Sequence, residues 1–155
     1  MNTALKSSLT LALRLFLGCL FLYAAWDKIL HPAAFSETVM NYKLLPRQLV
    51  HLFSLWLPWL ELVVATLILM GIWARASAVL MSAMMGMFLV AILQAVLRGI
   101  NTHCGCFTQG GEATDPVSFL TILRDVFFLS ASLLSAWIER DIPTWKLFSA
   151  GSKPR

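Results

Sequence analysis

The residues best suited to chemistry lie in the segment NTHCGCFTQGG, residues 101–111. Cys104 and Cys106 are one glycine apart, and His103 precedes them. A disulfide at this spacing is strained, and strained, exposed disulfides exchange readily with other thiols. A protonated His103 would favour the thiolate of Cys104, which is the attacking species in exchange. The motif therefore predicts thiol–disulfide exchange, with Cys104 as the attacking thiol and Cys106 as the resolving thiol.

Two other interpretations of this motif stay open. In one, the disulfide only stiffens a loop. In the other, the imidazole and the two thiolates bind a soft metal ion such as Zn²⁺ or Cu(I). A structural zinc site normally takes four protein ligands, and the sequence has no second cysteine pair, so no metal site is assigned. The third cysteine, Cys19, is interpreted as a small buried apolar residue.

The composition indicates a membrane protein. Of the 155 residues, 59% are hydrophobic and 13% are charged, and the mean hydropathy is +0.76. Soluble domains average about 45–50% apolar and about 25% charged residues. The net charge is only +4 and the basic residues are scattered, which argues against a nucleic-acid partner.

Four apolar segments are long enough to cross a bilayer, which takes about 20 helical residues. Backbone groups in lipid must pair within their own segment, so the segments are predicted to be helices. We therefore expect an all-α fold, an integral membrane four-helix bundle that forms one four-span domain over residues 1–155. The expected spans are about 9–30, 49–70, 74–97 and 117–138, with a long connection at about 31–48, the CGC loop at 98–116 and a polar tail at 141–155.

The orientation is predicted from Lys and Arg residues near the helix ends, which favour the cytoplasmic side. Six of these residues lie on the side of the two termini and four on the other side. This bias favours cytoplasmic termini in the inner membrane of a bacterium. The CGC loop would then face the periplasm, where disulfides persist.

Four ionisable residues interrupt the apolar segments, where such residues usually face the bundle interior. In a structural interpretation, Glu61 pairs with Arg14 or Arg124 and holds the helices together. In a functional interpretation, Arg124 lies beneath the CGC loop and stabilises a thiolate or an anionic ligand, while Glu61 carries the protons released by thiol oxidation. The four residues are Arg14, Glu61, Arg124 and Asp125.

Two further features of these segments have competing interpretations. Trp56 and Trp59 could form an aromatic pocket for a quinone beside Glu61, or they could face lipid or the helical core. Asp27 and Lys28 end the first segment, where Lys28 is expected to extend towards the lipid headgroups. As an alternative, both residues would contribute to a docking face for a soluble partner.

Four strings occur along the chain in this order: FLYAAWDKILHPAAFSETVMNYKLLP, LPWLELVVATLILMG, CGCF and TILRDVFFL. Their order and spacing resemble those of the DoxX-like membrane proteins, and in particular their MauE branch, named for methylamine utilisation. The resemblance covers about residues 11–135. It implies a four-helix membrane protein of redox association that supports maturation of periplasmic disulfide-rich enzymes beside a thioredoxin-like partner. The family pattern often continues CGCFG, whereas this chain has CGCFTQGG.

We expect thiol–disulfide exchange with a thioredoxin-like periplasmic protein, with a quinone as the candidate electron carrier in the bilayer. A rival hypothesis is a non-catalytic subunit that scaffolds a larger membrane complex, with an exposed apolar stripe at residues 81–88 as its contact surface. A third hypothesis is a membrane protein that handles copper or zinc.

Overall fold

The computed structural model describes the backbone of residues 3–99 and 119–138, and the side chains of residues 8–99 and 122–138. These residues form helices joined by short turns, and no strand occurs within the two ranges. The helices are α1 (Thr3–Leu30), α2 (Pro32–Asn41), α3 (Arg47–Met70), α4 (Ala74–Leu97) and α5 (Phe119–Ile138).

Among the described residues, three stretches are long and apolar enough to cross a membrane: Ser8–Leu30, Arg47–Met70 and Ala74–Leu97. They support an all-helical membrane protein, and they coincide closely with the first three predicted spans, which as membrane crossings stay predictions. The fourth predicted span coincides with α5 over most of its length. That α5 also crosses the membrane, and that the spans form a four-helix bundle, stay predictions.

Helix α2 replaces part of the connection expected at residues 31–48. Pro32 occupies the first turn of this helix. A proline is well suited to that position because its missing N–H would have no helical partner there. Phe35 and Val39 lie one turn apart on α2 and bury their side chains against the bundle. The long connection expected at about 31–48 therefore contains a helix, which was not predicted.

Helices α1 and α3 pack closely side by side. Gly18 permits this approach, since a Cβ at its position would lie 2.4 Å from the Leu69 side chain. Leu17, Phe21 and Ile68 belong to the buried cluster along this part of the bundle. At the far end of α3, Gly71 (φ 72°) adopts the left-handed conformation that commonly ends helices, so α4 can begin three residues later.

A second buried cluster joins α2 to the beginning of α3 and the end of α4. It includes Phe35 from α2, Val50 and Leu57 from α3, and Phe88 and Ile92 from α4. Helix α2 therefore fills the space beside the first half of α3, beyond the end of α1.

Two expectations about individual residues fail in this packing. Cys19 is exposed on the outer face of α1, and is not the buried residue expected. The stripe at residues 81–88 is not an exposed contact surface. Met81, Met84, Met85 and Phe88 are buried, and the Ser82 hydroxyl donates to that of Ser132 on α5 at 2.9 Å.

Candidate functional site

A buried ion pair lies at the end of the bundle where α2 packs against α3 and α4, which we call the α2 end. The Lys28 ammonium on α1 donates to both carboxylate oxygens of Glu61 on α3, each at 2.8 Å. Only 2% of the Lys28 side chain and 3% of the Glu61 side chain are exposed. Charged groups are this deeply buried only when they are paired, so each residue depends on the other.

Two aromatic rings complete the surroundings of Lys28. Its Nζ lies 5.5 Å from the ring centroid of Phe35 on α2 and 5.3 Å from that of Phe88 on α4. Both distances permit a cation–π attraction. Side chains from α1, α2, α3 and α4 therefore converge on one ammonium group.

The partner of Glu61 differs from the two arginines that the structural interpretation named. Glu61 does pair within the bundle, but with Lys28 and not with Arg14 or Arg124. Arg14 is also buried. It lies nearer the start of α1, about 21 Å from Lys28 along the helix axis at 1.5 Å per residue. Arg124 instead donates to the Oδ1 atom of the adjacent, buried Asp125 at 3.2 Å.

The expected role of Lys28 at the membrane surface was also wrong. Its side chain neither extends to headgroups nor contributes to an exposed docking face, because it is buried. The physical reason is α2, which begins two residues after the end of α1 and places Phe35 against the ammonium. The signal in the sequence was a lysine and a glutamate of opposite charge in two apolar segments, but their separation of 33 residues left the pairing ambiguous.

The two tryptophans expected beside Glu61 lie elsewhere on α3. Trp56 and Trp59 are exposed on the outer surface of the helix. At about 100° per residue they are displaced from Glu61 by roughly 140° and 160° around the helix axis. The structure therefore does not bring these two rings together with Glu61 in one pocket.

The thiol motif lies outside the described residues, so His103, Cys104 and Cys106 have no place in this geometry. The helices that flank the motif are described. The buried cluster that contains α2 also includes Ala91 and Ile92, near the end of α4, and Ile122 packs against it near the start of α5. The segment that carries the motif therefore leaves and rejoins the described fold at the α2 end. Within the described ranges, no group of three or more His, Cys, Asp and Glu side chains could hold a metal ion.

These features define a helical membrane protein with an ion pair buried among four of its described helices. The chain belongs to a known family: residues 6–138 match the family described as Methylamine utilisation protein MauE. The wider grouping with DoxX-like proteins stays a resemblance. No solved structure matches the chain.

Curated relatives support this membership. The chain is 36% identical to Methylamine utilization protein MauE of Paracoccus denitrificans over 126 residues, which are 81% of this chain and 67% of the relative. It is 34% identical to the protein of that name from Methylorubrum extorquens over 130 residues, 83% of this chain and 69% of the relative. With the protein of that name from Methylophilus methylotrophus the identity is 33% over 138 residues, 88% and 72% of the two chains.

Proposed function

We propose that this chain is a membrane thiol–disulfide exchange protein that supports methylamine utilisation, the process named in its relatives. The observation that carries the proposal is the HCGC motif in the segment between α4 and α5. The proposed location is the bacterial inner membrane, with both termini in the cytoplasm. The motif then faces the periplasm and a thioredoxin-like partner.

The chemistry is a balanced two-step exchange. The Cys104 thiolate attacks one sulfur of a partner disulfide, which forms a mixed disulfide and releases the other partner sulfur as a thiolate. The Cys106 thiolate then attacks the Cys104 sulfur, so that the Cys104–Cys106 disulfide forms and the partner leaves as a dithiol. The same steps in reverse oxidise a partner dithiol. His103 supports the first step by favouring the thiolate of Cys104.

Residues of the described bundle have supporting roles in this proposal. Arg124 lies about 8 Å along α5 from its first residue, at 1.5 Å per residue, and so belongs to the half of α5 nearest the motif. There its positive charge would favour a thiolate, with Asp125 fixing the direction of the guanidinium. The Lys28–Glu61 pair holds α1 and α3 in register beneath this end.

Trapping a mixed disulfide tests the proposal. In Cys106→Ser, the mixed disulfide on Cys104 cannot be resolved, so a covalent complex with a periplasmic thioredoxin-like protein should accumulate and disappear on reduction. Cys19→Ser is the matched control, because Cys19 is an exposed cysteine on α1 outside the motif, and it should leave the trapping unchanged. Undiminished oxidation of the partner in Cys104→Ser, Cys106→Ser would contradict the proposal. A scaffold would instead co-purify with its partners in fixed proportion and tolerate the loss of both cysteines.

A further inference from the structure

An apolar cavity lies where α2, the turn that follows it, α3 and α4 meet. Its volume is about 180 Å³, and an apolar cavity of about 150 Å³ already accommodates a molecule the size of benzene. The rings of Tyr42, Phe53 and Phe88 form part of its wall. Among the described lining residues, Tyr42 has the only side chain with a nitrogen or oxygen atom. The cavity therefore suits a short piece of hydrocarbon and not a polar ligand.

The cavity opens on the outer surface of the bundle. Among its lining residues, Leu44 and Met87 are 43% and 41% exposed, whereas Phe88 is buried. Phe53 lies about 9 Å along α3 from its first residue, and Met87 lies about 15 Å from the last residue of α4, at 1.5 Å per residue. Half of the hydrocarbon core of a bilayer is about 15 Å thick. In a membrane the cavity therefore extends over the depth that the acyl chains of one leaflet occupy.

Two exposed cations lie at the surface end of the cavity. Lys43 stands between the lining residues Tyr42 and Leu44, and Arg47 begins α3 two residues after the lining residue Leu45. No aspartate or glutamate occurs between residues 38 and 60 of the sequence. Lysine and arginine bind the phosphate groups of lipids through charge-assisted hydrogen bonds. The charges therefore select an amphipathic molecule with an anionic headgroup.

The backbone of the turn supports a role for Lys43. Its φ of 51° lies in the left-handed region, which is uncommon for a residue other than glycine. Residues that are held in this conformation are frequent at ligand sites. The acidic residue Glu37 does not neutralise this lysine from the same face of α2, because it lies about 160° around the helix from the lining residue Val39. Glu37 instead lines a separate cleft between α2 and α3, the α2–α3 cleft.

We infer that this cavity binds one acyl chain of an anionic phospholipid, whose phosphate group is bound by Lys43 and Arg47. The inference goes beyond the proposed function and does not depend on thiol exchange. Phe88 connects the lipid to the buried ion pair, because its ring lines the cavity and lies 5.3 Å from the Lys28 Nζ atom. A bound chain packs on this ring, so the lipid should stabilise the α2 end of the bundle.

Binding of a phosphatidylglycerol with palmitoyl and oleoyl chains to the full chain tests the inference. The purified protein in detergent should bind it saturably, and about twentyfold more tightly than phosphatidylcholine with the same chains, since each basic residue contributes about fivefold. Lys43→Asn and Arg47→Gln should each weaken phosphatidylglycerol binding about fivefold. Asparagine tolerates the left-handed conformation, so Lys43→Asn removes the charge without straining the turn. Arg75→Gln is the matched control, because Arg75 is exposed at the other end of the bundle, and it should bind as the wild type does.

Ala91→Leu tests the cavity separately from the charges. Ala91 is buried in the cavity wall, so a leucine there occupies part of the space and should abolish saturable binding. The lipid-free variant should unfold at the temperature of the wild type or above it, because filling a cavity usually stabilises a protein. Phosphatidylglycerol should raise the unfolding temperature of the wild type and not that of Ala91→Leu. Val90→Leu is the control, because Val90 precedes Ala91 but is exposed on the outer surface of α4, and it should respond to the lipid as the wild type does.

Four outcomes would overturn the inference. One is equal affinity of the wild type for phosphatidylglycerol and phosphatidylcholine. Another is unchanged phosphatidylglycerol binding in Lys43→Asn, Arg47→Gln or in Ala91→Leu. Competition by glycerol 3-phosphate as strong as that by phosphatidylglycerol would assign the cations to a free phosphate. Displacement of the lipid by decylubiquinone, with equal affinity for the wild type and the two charge variants, would assign the cavity to a neutral amphiphile.

Discussion

Lys28 and Glu61 illustrate how two residues that are costly in an apolar environment become compatible with it. Each charge removes the need for water around the other, and the rings of Phe35 and Phe88 lie against the ammonium. Such a pair adds little stability compared with well-packed apolar side chains, but the loss of one partner leaves an uncompensated buried charge. The pair therefore fixes the relative position of α1 and α3.

Glu61→Gln should destabilise the protein strongly. The substitution leaves the Lys28 ammonium buried without a counter-charge, which costs about 3–5 kcal/mol. The measurement is thermal unfolding of the purified protein in detergent. Glu37→Gln is the control, because Glu37 is exposed on α2 and its loss should change stability by less than about 0.5 kcal/mol.

The double variant Lys28→Met, Glu61→Leu should recover much of the stability lost in Glu61→Gln. It removes both charges and leaves apolar side chains of similar size, which buried sites accept well. Equal unfolding temperatures for the wild type and Glu61→Gln would contradict the pairing of Glu61 with Lys28.

At the scale of elements, the apolar segments determine much of the fold. The bounds of α4 equal those expected, and those of α3 differ by two residues at one end, because long apolar runs between polar ends allow few alternatives. Helix α2 was not predicted, because a proline is common both where a helix is interrupted and in the first turn of a new helix, and Pro32 is the second kind. The Lys28–Glu61 pair could not be assigned without α2, since an uncovered Lys28 would extend to the membrane surface. The thiol motif was evident from three residues, but its contacts lie outside the described residues.

Gly18 and Gly86 provide a matched test of the packing of α1 against α3. Both are helical, but a Cβ at Gly18 would lie 2.4 Å from the Leu69 side chain, whereas a Cβ at Gly86 would have no atom within 4 Å. Gly18→Ala should therefore destabilise the protein by about 1–3 kcal/mol, the usual cost of overpacking. Gly86→Ala should be neutral or stabilise it by up to about 1 kcal/mol through helix propensity.

Thermal unfolding of the two glycine variants under the same conditions provides the measurement. The informative quantity is the sign of the difference in unfolding temperature between the two variants, since both add one methyl group to a helix. A Gly18→Ala protein as stable as Gly86→Ala would show that Leu69 moves aside freely, and would contradict the close approach of α1 and α3.

At the scale of the whole molecule, the two ends of the bundle differ. One end has α2, the buried ion pair, the α2–α3 cleft and the flanks of the thiol segment, while the other has the short turn between α3 and α4. Between these ends, α3 and α4 present large apolar side chains on their outer surfaces, among them Trp59, Val63, Val90 and Leu93. In a membrane these surfaces contact lipid.

Val63→Arg should therefore reduce the amount of chain inserted in the membrane. Val63 is exposed on α3, well inside the candidate span Arg47–Met70, where an arginine costs about 2.5–3.5 kcal/mol in insertion. The measurement is the membrane-integrated fraction after carbonate extraction. Leu97→Arg is the control, because Leu97 is also exposed but is the last residue of α4, where an arginine should be tolerated. Normal integration of Val63→Arg would contradict a lipid-facing surface on α3.

In the proposed function, Cys104 and Cys106 form an exchangeable disulfide on the periplasmic side. Labelling of intact cells with a membrane-impermeant maleimide tests it most directly, in the wild type and in single cysteine variants, with and without mild reduction. Cys104 and Cys106 should be labelled only after reduction. Labelling without reduction would mean free outer thiols and favour metal binding. Labelling of the motif only after permeabilisation would place it in the cytoplasm and contradict the periplasmic function.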